Sequence, residues 1–427
     1  MAPPSAPPAT TSPPLSAREA TLLVQRHIAR QPTLRIPLAD ARGTVLAEAV
    51  ASPLDIPPHT NSAMDGYAAR GVDVAGASAE HPARLTVVEH IAAGGFPVKM
   101  IAPGECARIF TGAPLPEGAD TVIRQEDTDY GREVVTITRD RDVGVNWRKA
   151  GEDLKKGEIA LDERTELGAA ELGVLASMAV AHPLVYRRPR VGILASGDEI
   201  VDLDQSEAIL SGRKIATSNT YTLNALVEES GGQPVNLGIA GDTVPSMREH
   251  LERSRDCDLL VTTGGISVGD HDVLRLVLEQ MGTEFKFWKL RMRPGAPVGF
   301  GLLDGMPWIG LPGNPVSTMV TFELFVRPAI RKMSGRALPF RRAVPVRLHD
   351  PVVVKPRLQH FLRAIVNDSS GQREVRLTGP QGSGILTSMV KANALLILPE
   401  GQLETPAGSH EMAIMLDDPH HQTEPPF

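Results

Sequence analysis

The sequence predicts an α/β multidomain protein whose largest part is a doubly wound, mostly parallel sheet. Between residues 190 and 335, continuous apolar runs such as VGILA (191–195) alternate with amphipathic segments. Apolar runs are typical of buried parallel strands, and βαβαβ alternation indicates helices on both faces. The flanking regions hold short β-rich runs between Gly/Pro turns. A chain of 427 residues also exceeds one hydrophobic core, which predicts several domains.

The N-terminal third begins with residues 1–15, which we expect to form a disordered tail because they are rich in proline with Ala, Ser and Thr. Residues 16–30 predict a helix, since Ser16 can cap its start and apolar side chains share one face. From Asp40 to about Asp162, short β-rich runs such as EVVTITRD predict a β-rich module between helical pieces.

The sheet region supplies its elements in a regular order. After the strand at 191–195, the pattern predicts a helix at about 219–230, the strand VNLGIA and a helix at about 245–255. The strand DLLVTTGG, a helix from about Asp270 and a strand FKFWKLRM (285–292) follow. Residues 340–427 return to short strands without a long helical pattern, which predicts a small β-barrel-like domain.

Composition excludes several classes of protein. A net charge of −7 argues against a nucleic-acid binder with a strong basic face. The most apolar stretch, 167–185, is interrupted by charged and proline residues and is too broken to span a membrane. Only two cysteines occur, Cys106 and Cys257, which argues against a zinc site or a disulfide framework and favours a reducing cytoplasm.

Four loops at predicted strand ends carry an unusual density of glycine, acidic and hydroxyl residues. They are SGDE (196–199), GD (241–242), TGGISVGDHD (263–272) and LPGNPVS (311–317). Ligands of open parallel sheets bind beyond the carboxyl ends of the strands. Glycine turns let backbone amides approach an anion, and Asn314 with Pro315 suits the first turn of a helix. We therefore expect substrate phosphates to bind at a set comprising Gly264, Gly265, Ser267, Gly269, Pro312, Gly313, Asn314, Pro315 and Ser317.

The carboxylates of these loops predict a magnesium site. Asp198, Glu199, Asp242, Asp270 and Asp272 all follow predicted strands. Acids beside phosphate-binding amides are typical of Mg²⁺ that bridges phosphate oxygens, and we assign the metal to Glu199, Asp242 and Asp272. Neither GxGxxG nor GxxxxGK[ST] occurs in these loops, so no dehydrogenase or Walker-type site is predicted.

A row of cations follows in the chain: Lys286, Lys289, Arg291 and Arg293. On one strand, residues 289, 291 and 293 would share a face and could hold an anionic ligand. A solvated strand edge is an equal alternative.

The order of these motifs resembles the molybdopterin molybdenumtransferases, the family of MoeA and of the gephyrin E domain. The resemblance begins with PPHTNSAMDGYA (57–68) and continues through RIFTGAP (108–114), GED (151–153), SGDE (196–199), TGGISVGD (263–270), FWK (287–289) and LPGNPVS (311–317). Together these motifs span nearly all of the chain beyond the proline-rich tail.

The resemblance implies a molybdopterin-binding α/β domain (16–32 and 189–337) and a linker domain (33–51 and 158–188). It further implies a β-rich projecting domain (52–157) and a C-terminal β-barrel-like domain (338–427). The implied activity is Mg²⁺-dependent insertion of molybdenum from molybdate into adenylyl-molybdopterin, with release of AMP. The implied assembly is a homodimer whose active sites are shared between subunits. Expected partners are an enzyme that supplies adenylyl-molybdopterin and chaperones of molybdoenzymes.

Catalytic positions that the resemblance implies are Asp65, Thr111, Asp153, Glu199, Asp242, Asp272, Lys289 and Arg293, with Arg363 as a substrate-binding residue. Asp65, Thr111, Asp153 and Arg363 rest on the resemblance alone. The sequence departs from the family at His59-Thr60, where Phe-Asp is frequent. It departs again at Arg293 and Ala296, where lysines are usual. Arginine keeps the charge but changes the geometry of anion binding.

Two alternatives remain open at this point. One is a nucleotide pyrophosphatase on the same sheet domain, similar to the competence-damage-inducible family. The other is a scaffold of the gephyrin kind that has lost catalysis, although the retained acidic set argues against it.

Overall fold

A computed structural model describes residues 14–266, 273–368 and 372–416. The predicted disorder of residues 1–13 and the predicted roles of Ser267, Gly269, Asp270 and Asp272 lie outside these ranges. The predicted tail extends too far at its end. Leu15 is paired with Leu290 and packs on the core of the sheet domain, because an apolar side chain there is withdrawn from water.

The central element is a six-stranded sheet. Its spatial order is Gln233–Ala240, Arg190–Ser196, Leu259–Thr263, Met306–Leu311, Gly299–Leu303 and Glu284–Phe287. The first four strands are parallel, and the last two are antiparallel to their neighbours. The chain passes from Arg190–Ser196 first to one side and later to the other, so the strand order reverses at this strand. This reversal is the place where such sheets bind ligands.

Helices cover both faces of the sheet, as the sequence predicts. They are Ala17–His27, Ser218–Glu229, Val244–Glu252, Val273–Gln280, Pro315–Thr321 and Arg327–Met333, with a π-helical turn Phe322–Val326. The first begins at a capping box in which Ser16 and Glu19 satisfy each other's backbone amides. Leu223, Val227 and Val320 pack on one face, and Leu251, Val277 and Trp308 form the core of the other.

The predicted single strand 285–292 is wrong. The strand of the central sheet ends at Phe287, and Met292–Arg293 forms a second strand that pairs with Gln359 and His360 of the C-terminal domain. Between the two, Trp288 turns onto Trp308, with ring centroids 5.4 Å apart. Burying this aromatic pair contributes more than continuing an edge strand in water would.

The N-terminal half forms two further sets of strands. In the first, Thr33–Arg35 pairs with Leu184–Tyr186, and Val50–Ala51 pairs with Ile159–Leu161 beside the helix Ala169–Ser177. The second is a five-stranded sheet in the order Thr121–Arg124, Gly66–Ala69, Glu105–Ile109, Ala83–Ile91 and Val134–Ile137, next to the pair Asn61–Ser62 with Trp147–Arg148.

The C-terminal region closes into a five-stranded barrel, as predicted. The order is Gln359–Asn367, Glu374–Leu377, Ala343–Leu348, His410–Met415 and Ala394–Leu398, and the last strand pairs back onto the first. Short elements complete the described chain: the strand pairs Ile200–Val201 with Ile215–Ala216 and Val352–Val353 with Glu404–Thr405, the helices Ser206–Leu210 and Thr387–Lys391, and the 3₁₀ turns Leu38–Asp40, Gly71–Asp73, Gln125–Asp127, Leu203–Gln205 and Arg253–Asp256.

Within the described ranges, no helix is both long enough and apolar enough to cross a bilayer.

Candidate active site

A cavity of about 1040 Å³ opens at the carboxyl ends of the parallel strands. Its walls come from the loops after Arg190–Ser196, Gln233–Ala240, Leu259–Thr263 and Met306–Leu311. These are the four loops in which the sequence predicts ligand-binding residues. Eight of the predicted site residues line it: Glu199, Asp242, Gly264, Gly265, Pro312, Gly313, Asn314 and Pro315.

The acidic residues are held at one side of this cavity by their own backbone. The amide of Asp242 donates to Asp198 Oδ1 at 2.9 Å, and the amide of Asp198 donates to Asp242 Oδ2 at 3.4 Å. This exchange ties two strand ends together and fixes the direction of both carboxylates. Glu199 and Asp242 line the cavity, so two acidic side chains face the same space.

Gly264 and Gly265 form a turn that lines the same cavity as these acids. Both have positive φ, +85° and +64°, which a side chain would strain. A Cβ on Gly264 would also lie 2.7 Å from the carbonyl oxygen of Ser196, and one on Gly265 would lie 2.9 Å from its hydroxyl. Only glycine lets the two strand ends approach this closely, so the pair is required by packing as well as by any anion it binds.

Asn219, in the first turn of Ser218–Glu229, lines the cavity and was not predicted. Its Nδ2 donates to Thr263 Oγ1 at 2.9 Å and to the carbonyl of Gly313 at 2.8 Å. The side chain thereby joins a helix to two strand-end loops. The only sequence signal was an asparagine directly before the apolar face of a helix, which by itself indicates no more than a cap.

The predicted row of cations does not form. Lys289 and Arg293 are exposed and do not line the cavity, since the segment that bears them is not one strand. Arg291 pairs with Glu400 at 3.1 Å, which agrees with the alternative of a solvated edge. Arg293 lies beside His360 on the neighbouring strand. Burial lowers the pKa of His360, and the charge of Arg293 lowers it further.

The helix that begins at Pro315 differs from the prediction of free amides. Asn314 is its N-cap residue and Pro315 its first residue, as predicted, but the Asn314 side chain makes no capping bond. The amide of Val316 already donates to the carbonyl of Ser383 in the C-terminal domain, at 3.1 Å. Ser317 is only 3% exposed and does not line the cavity. An anion would have to displace that carbonyl before the Val316 amide could bind it.

Arg363 is fully buried in the C-terminal domain and does not line the cavity. Its guanidinium donates to the carbonyls of Pro380, Gln381 and Gly382 and to Ser388 Oγ. Burial lowers the pKa of this arginine. The described structure therefore gives Arg363 contacts with protein carbonyls, and the substrate contact implied by resemblance stays a prediction.

Asp65 and Thr111 lie together in the five-stranded domain. Asp65 Oδ1 accepts from the amide of Thr111 at 2.9 Å and from its hydroxyl at 2.8 Å. These two hydrogen bonds lower the pKa of Asp65 below its usual value. Asp153 is exposed in a separate turn. None of the three lines the cavity of its own chain.

Comparison with known proteins gives consistent matches along the chain. Residues 15–179 match the model of the MoeA N-terminal region (domain I and II), 192–332 match a probable molybdopterin-binding domain, and 345–410 match the MoeA C-terminal region (domain IV). A molybdopterin molybdenumtransferase of Nostoc sp. is 37% identical over 92% of this chain and 91% of its own length.

Two further relatives agree. The molybdopterin molybdenumtransferase of Bacillus subtilis is 34% identical over 86% of both chains. The crystal structure of the molybdopterin biosynthesis moeA protein from Pyrococcus horikoshii OT3 is similar with a TM-score of 0.76. It is 30% identical, over 94% of this chain and all of that one.

Proposed function

Since the chain belongs to the molybdopterin molybdenumtransferase family, we propose that it transfers molybdenum from molybdate to adenylyl-molybdopterin and releases AMP in a Mg²⁺-dependent reaction. The family makes it a transferase of molybdenum cofactor biosynthesis that acts on a molybdopterin-related substrate. The observation that supports the finer proposal is the cavity at the switch point of the sheet, which two acidic residues and a glycine turn line together.

The donor set of this cavity fits magnesium. Glu199 and Asp242 offer oxygen ligands, whereas the described ranges contain no group of three His, Cys, Asp or Glu that could hold a metal alone. Mg²⁺ typically binds one or two carboxylates and completes its shell with water and substrate phosphates. Glu199 and Asp242 would hold the ion, with Asp272 proposed as a third acid. When bound, it would neutralise charge on the pyrophosphate of the substrate.

The protein's own part in the reaction is to bind and orient its substrates. The Gly264–Gly265 turn lines the cavity with backbone, and because the amide of Gly264 already donates to the carbonyl of Leu311, the amide of Gly265 is proposed to bind phosphate oxygens. An oxygen of water or molybdate attacks the phosphorus of the molybdopterin phosphate and stays bound to it, the phosphoanhydride bond breaks, and AMP leaves with the bridging oxygen and the bond electrons. Where water attacks, its proton passes to solvent. The two sulfurs of molybdopterin replace oxide ligands of molybdate, which leave as water with the thiol protons. No protein nucleophile is needed, so rate enhancement comes from orientation and charge.

Lys289 and Arg293 are proposed to attract molybdate from outside the cavity lining. Pro297, four residues beyond Arg293, does line the cavity, which supports a position of this segment near its rim. Such a long-range attraction would weaken with salt.

The remaining predicted residues support a shared site. Asp65, Thr111 and Asp153 do not line the cavity of their own chain, although the resemblance assigns them to catalysis. We propose that a second copy of the chain brings them to the cavity in a two-fold dimer. The supplying enzyme, the molybdoenzyme chaperones and a cytoplasmic location stay predictions from the sequence.

The acids provide the test. Glu199→Gln and Asp242→Asn should each abolish Mg²⁺-dependent AMP release from adenylyl-molybdopterin and leave the melting temperature unchanged, because only exposed charge is lost. Asp204→Asn is the matched control. Asp204 lines a second, smaller pocket with Asp198 and Asp202 but does not line the cavity, so this variant should keep wild-type turnover. Wild-type AMP release by both cavity variants would refute the metal assignment.

The same assay separates the transferase from a pyrophosphatase. A transferase should release AMP only from the pterin adenylate, whereas a pyrophosphatase would also cleave ordinary dinucleotides. The relatives named above are molybdenumtransferases or a molybdopterin biosynthesis protein, which favours the first outcome.

A further inference from the structure

The hydrogen bonds of Asn219 fix which way its carboxamide faces. Thr263 Oγ1 has one proton, which it donates to the carbonyl of Pro312 at 3.1 Å. It must therefore accept from Asn219, and the carbonyl of Gly313 can only accept. Both contacts require the NH₂ group, so the amide cannot be flipped.

This orientation leaves the carbonyl oxygen of Asn219 open. Oδ1 accepts no hydrogen bond from the described part of the chain, and it is not among the buried polar atoms that lack a partner. Asn219 lines the cavity, so the space beside this residue in the described structure is the cavity. Asn219 presents a fixed hydrogen-bond acceptor to whatever fills that space.

The surroundings select the kind of group that this acceptor can bind. The anhydride phosphates of the proposed substrate carry no proton at neutral pH, so a carbonyl oxygen would repel them. Ile215, Ala216, Pro312 and Pro315 also line the cavity, and these apolar side chains suit an uncharged flat ring. An N–H donor on an aromatic ring satisfies both conditions.

We propose that Asn219 Oδ1 accepts a hydrogen bond from the exocyclic amino group of a heterocycle in the ligand, and so acts as a specificity-determining residue. This inference rests on the proposed function, in which the adenine and the pterin of the substrate both carry such a group. The ring would then lie beside Asn219 and the apolar side chains of the lining.

The test measures discrimination rather than turnover. Binding of AMP is compared with purine riboside 5′-monophosphate, and binding of pterin with its 2-deamino analogue, by calorimetry on the full-length protein. The wild type should prefer the amino-bearing member of one pair by about tenfold, the value of one well-formed hydrogen bond. Which pair shows the preference identifies the ring.

Asn219→Ala should reduce that preference to less than about twofold. Asn219→Leu, which keeps the branched skeleton without the polar atoms, is made alongside so that a folding defect in the alanine variant does not decide the result. Thr318→Val is the control for a loosened loop. Thr318 also donates to the carbonyl of Pro312, at 2.6 Å, but is buried and does not line the cavity. It should lower the melting temperature and keep the wild-type preference.

Three outcomes decide the matter. Loss of preference in both Asn219 variants, with its retention in Thr318→Val, supports the proposal. Binding of AMP and pterin without preference in the wild type, or an unchanged preference in the Asn219 variants, overturns it and leaves the proposed function intact. If the wild type binds neither AMP nor pterin, both proposals fail.

Discussion

Arg363 organises a loop between the barrel and the sheet domain. Its guanidinium donates hydrogen bonds to the carbonyls of Pro380, Gln381 and Gly382. The carbonyl of the next residue, Ser383, accepts a hydrogen bond from the amide of Val316. The planar fork of five donors matches several carbonyls at once, which a lysine ammonium cannot do. One buried cation thus connects the C-terminal domain to the helix beside the cavity.

We predict that Arg363→Lys destabilises the protein. Fewer donors remain for the same carbonyls, so we expect a loss of about 2 to 3 kcal/mol in the free energy of unfolding, visible as a melting temperature lower by several degrees. Arg347→Lys is the matched control, because Arg347 is exposed outside the same barrel and pairs only with Glu374. An unchanged melting temperature with a raised KM would instead indicate direct substrate binding by Arg363.

Among single residues, the sequence predicts correctly those that line the cavity because they directly follow a strand. Glu199, Asp242 and the glycine pair meet in the cavity because each directly follows a parallel strand. Asn219 was missed because its partners, Thr263 and Gly313, lie 44 and 94 residues away along the chain. Long-range side-chain bonds of this kind leave no local pattern.

The helix Pro315–Thr321 begins at the cavity edge, but its first turn is also an interface between domains. The carbonyl of Ser383 covers the Val316 amide, and Val316, Val320 and Thr321 are buried behind it. Its N-terminal charge is therefore already partly satisfied by protein. Fewer backbone amides at the start of this helix are free to bind a ligand than its sequence suggests.

Ser317→Asp should therefore lower stability rather than substrate affinity. A carboxylate at a position with 3% exposure loses its hydration, and a helix end already bonded to Ser383 offers little in return. Differential scanning calorimetry should show a melting temperature lower by several degrees, whereas Ser317→Ala should stay close to wild type. A higher melting temperature for the aspartate variant would show that the helix end is open.

Helices and strands were predictable where a single pattern of apolar residues runs through the whole element. The amphipathic helices and the apolar parallel strands lie where their periodicity indicates. The segment 285–292 was not predictable. Its alternating apolar residues belong first to a strand of the central sheet and then to a strand of the C-terminal sheet, and the turn between them depends on Trp308, a residue of a later strand.

At the scale of the whole molecule, Asp65 and Thr111 belong to the five-stranded domain and do not line the cavity. The acids Glu199 and Asp242 of the sheet domain do line it. A local sequence motif cannot show whether this domain contributes residues to the cavity of its own chain or to that of a second copy. The architecture was predictable from motif order, whereas the assembly depends on surfaces that no periodicity reports.

Mixed dimers test the shared site. Asp65→Ala and Asp242→Asn should each be inactive as homodimers. Co-expressed, they should form heterodimers with one intact and one doubly defective site. At random pairing half the dimers are mixed and half of their sites work, so activity should recover to about a quarter of wild type. Purified heterodimers without activity would mean that each site is built within one chain.

The pairing of Thr33–Arg35 with Leu184–Tyr186 has a consequence for how such a protein could be assembled from parts. The chain departs from the sheet domain and returns to it along two adjacent antiparallel strands, with Leu34 opposite Val185. Everything between them is therefore an insertion whose two ends already lie side by side. A short turn joining those strands would close the parent domain without moving its core, as in a natural domain insertion. The molecule thus has the connectivity of an α/β unit with a second module inserted at one point of its surface.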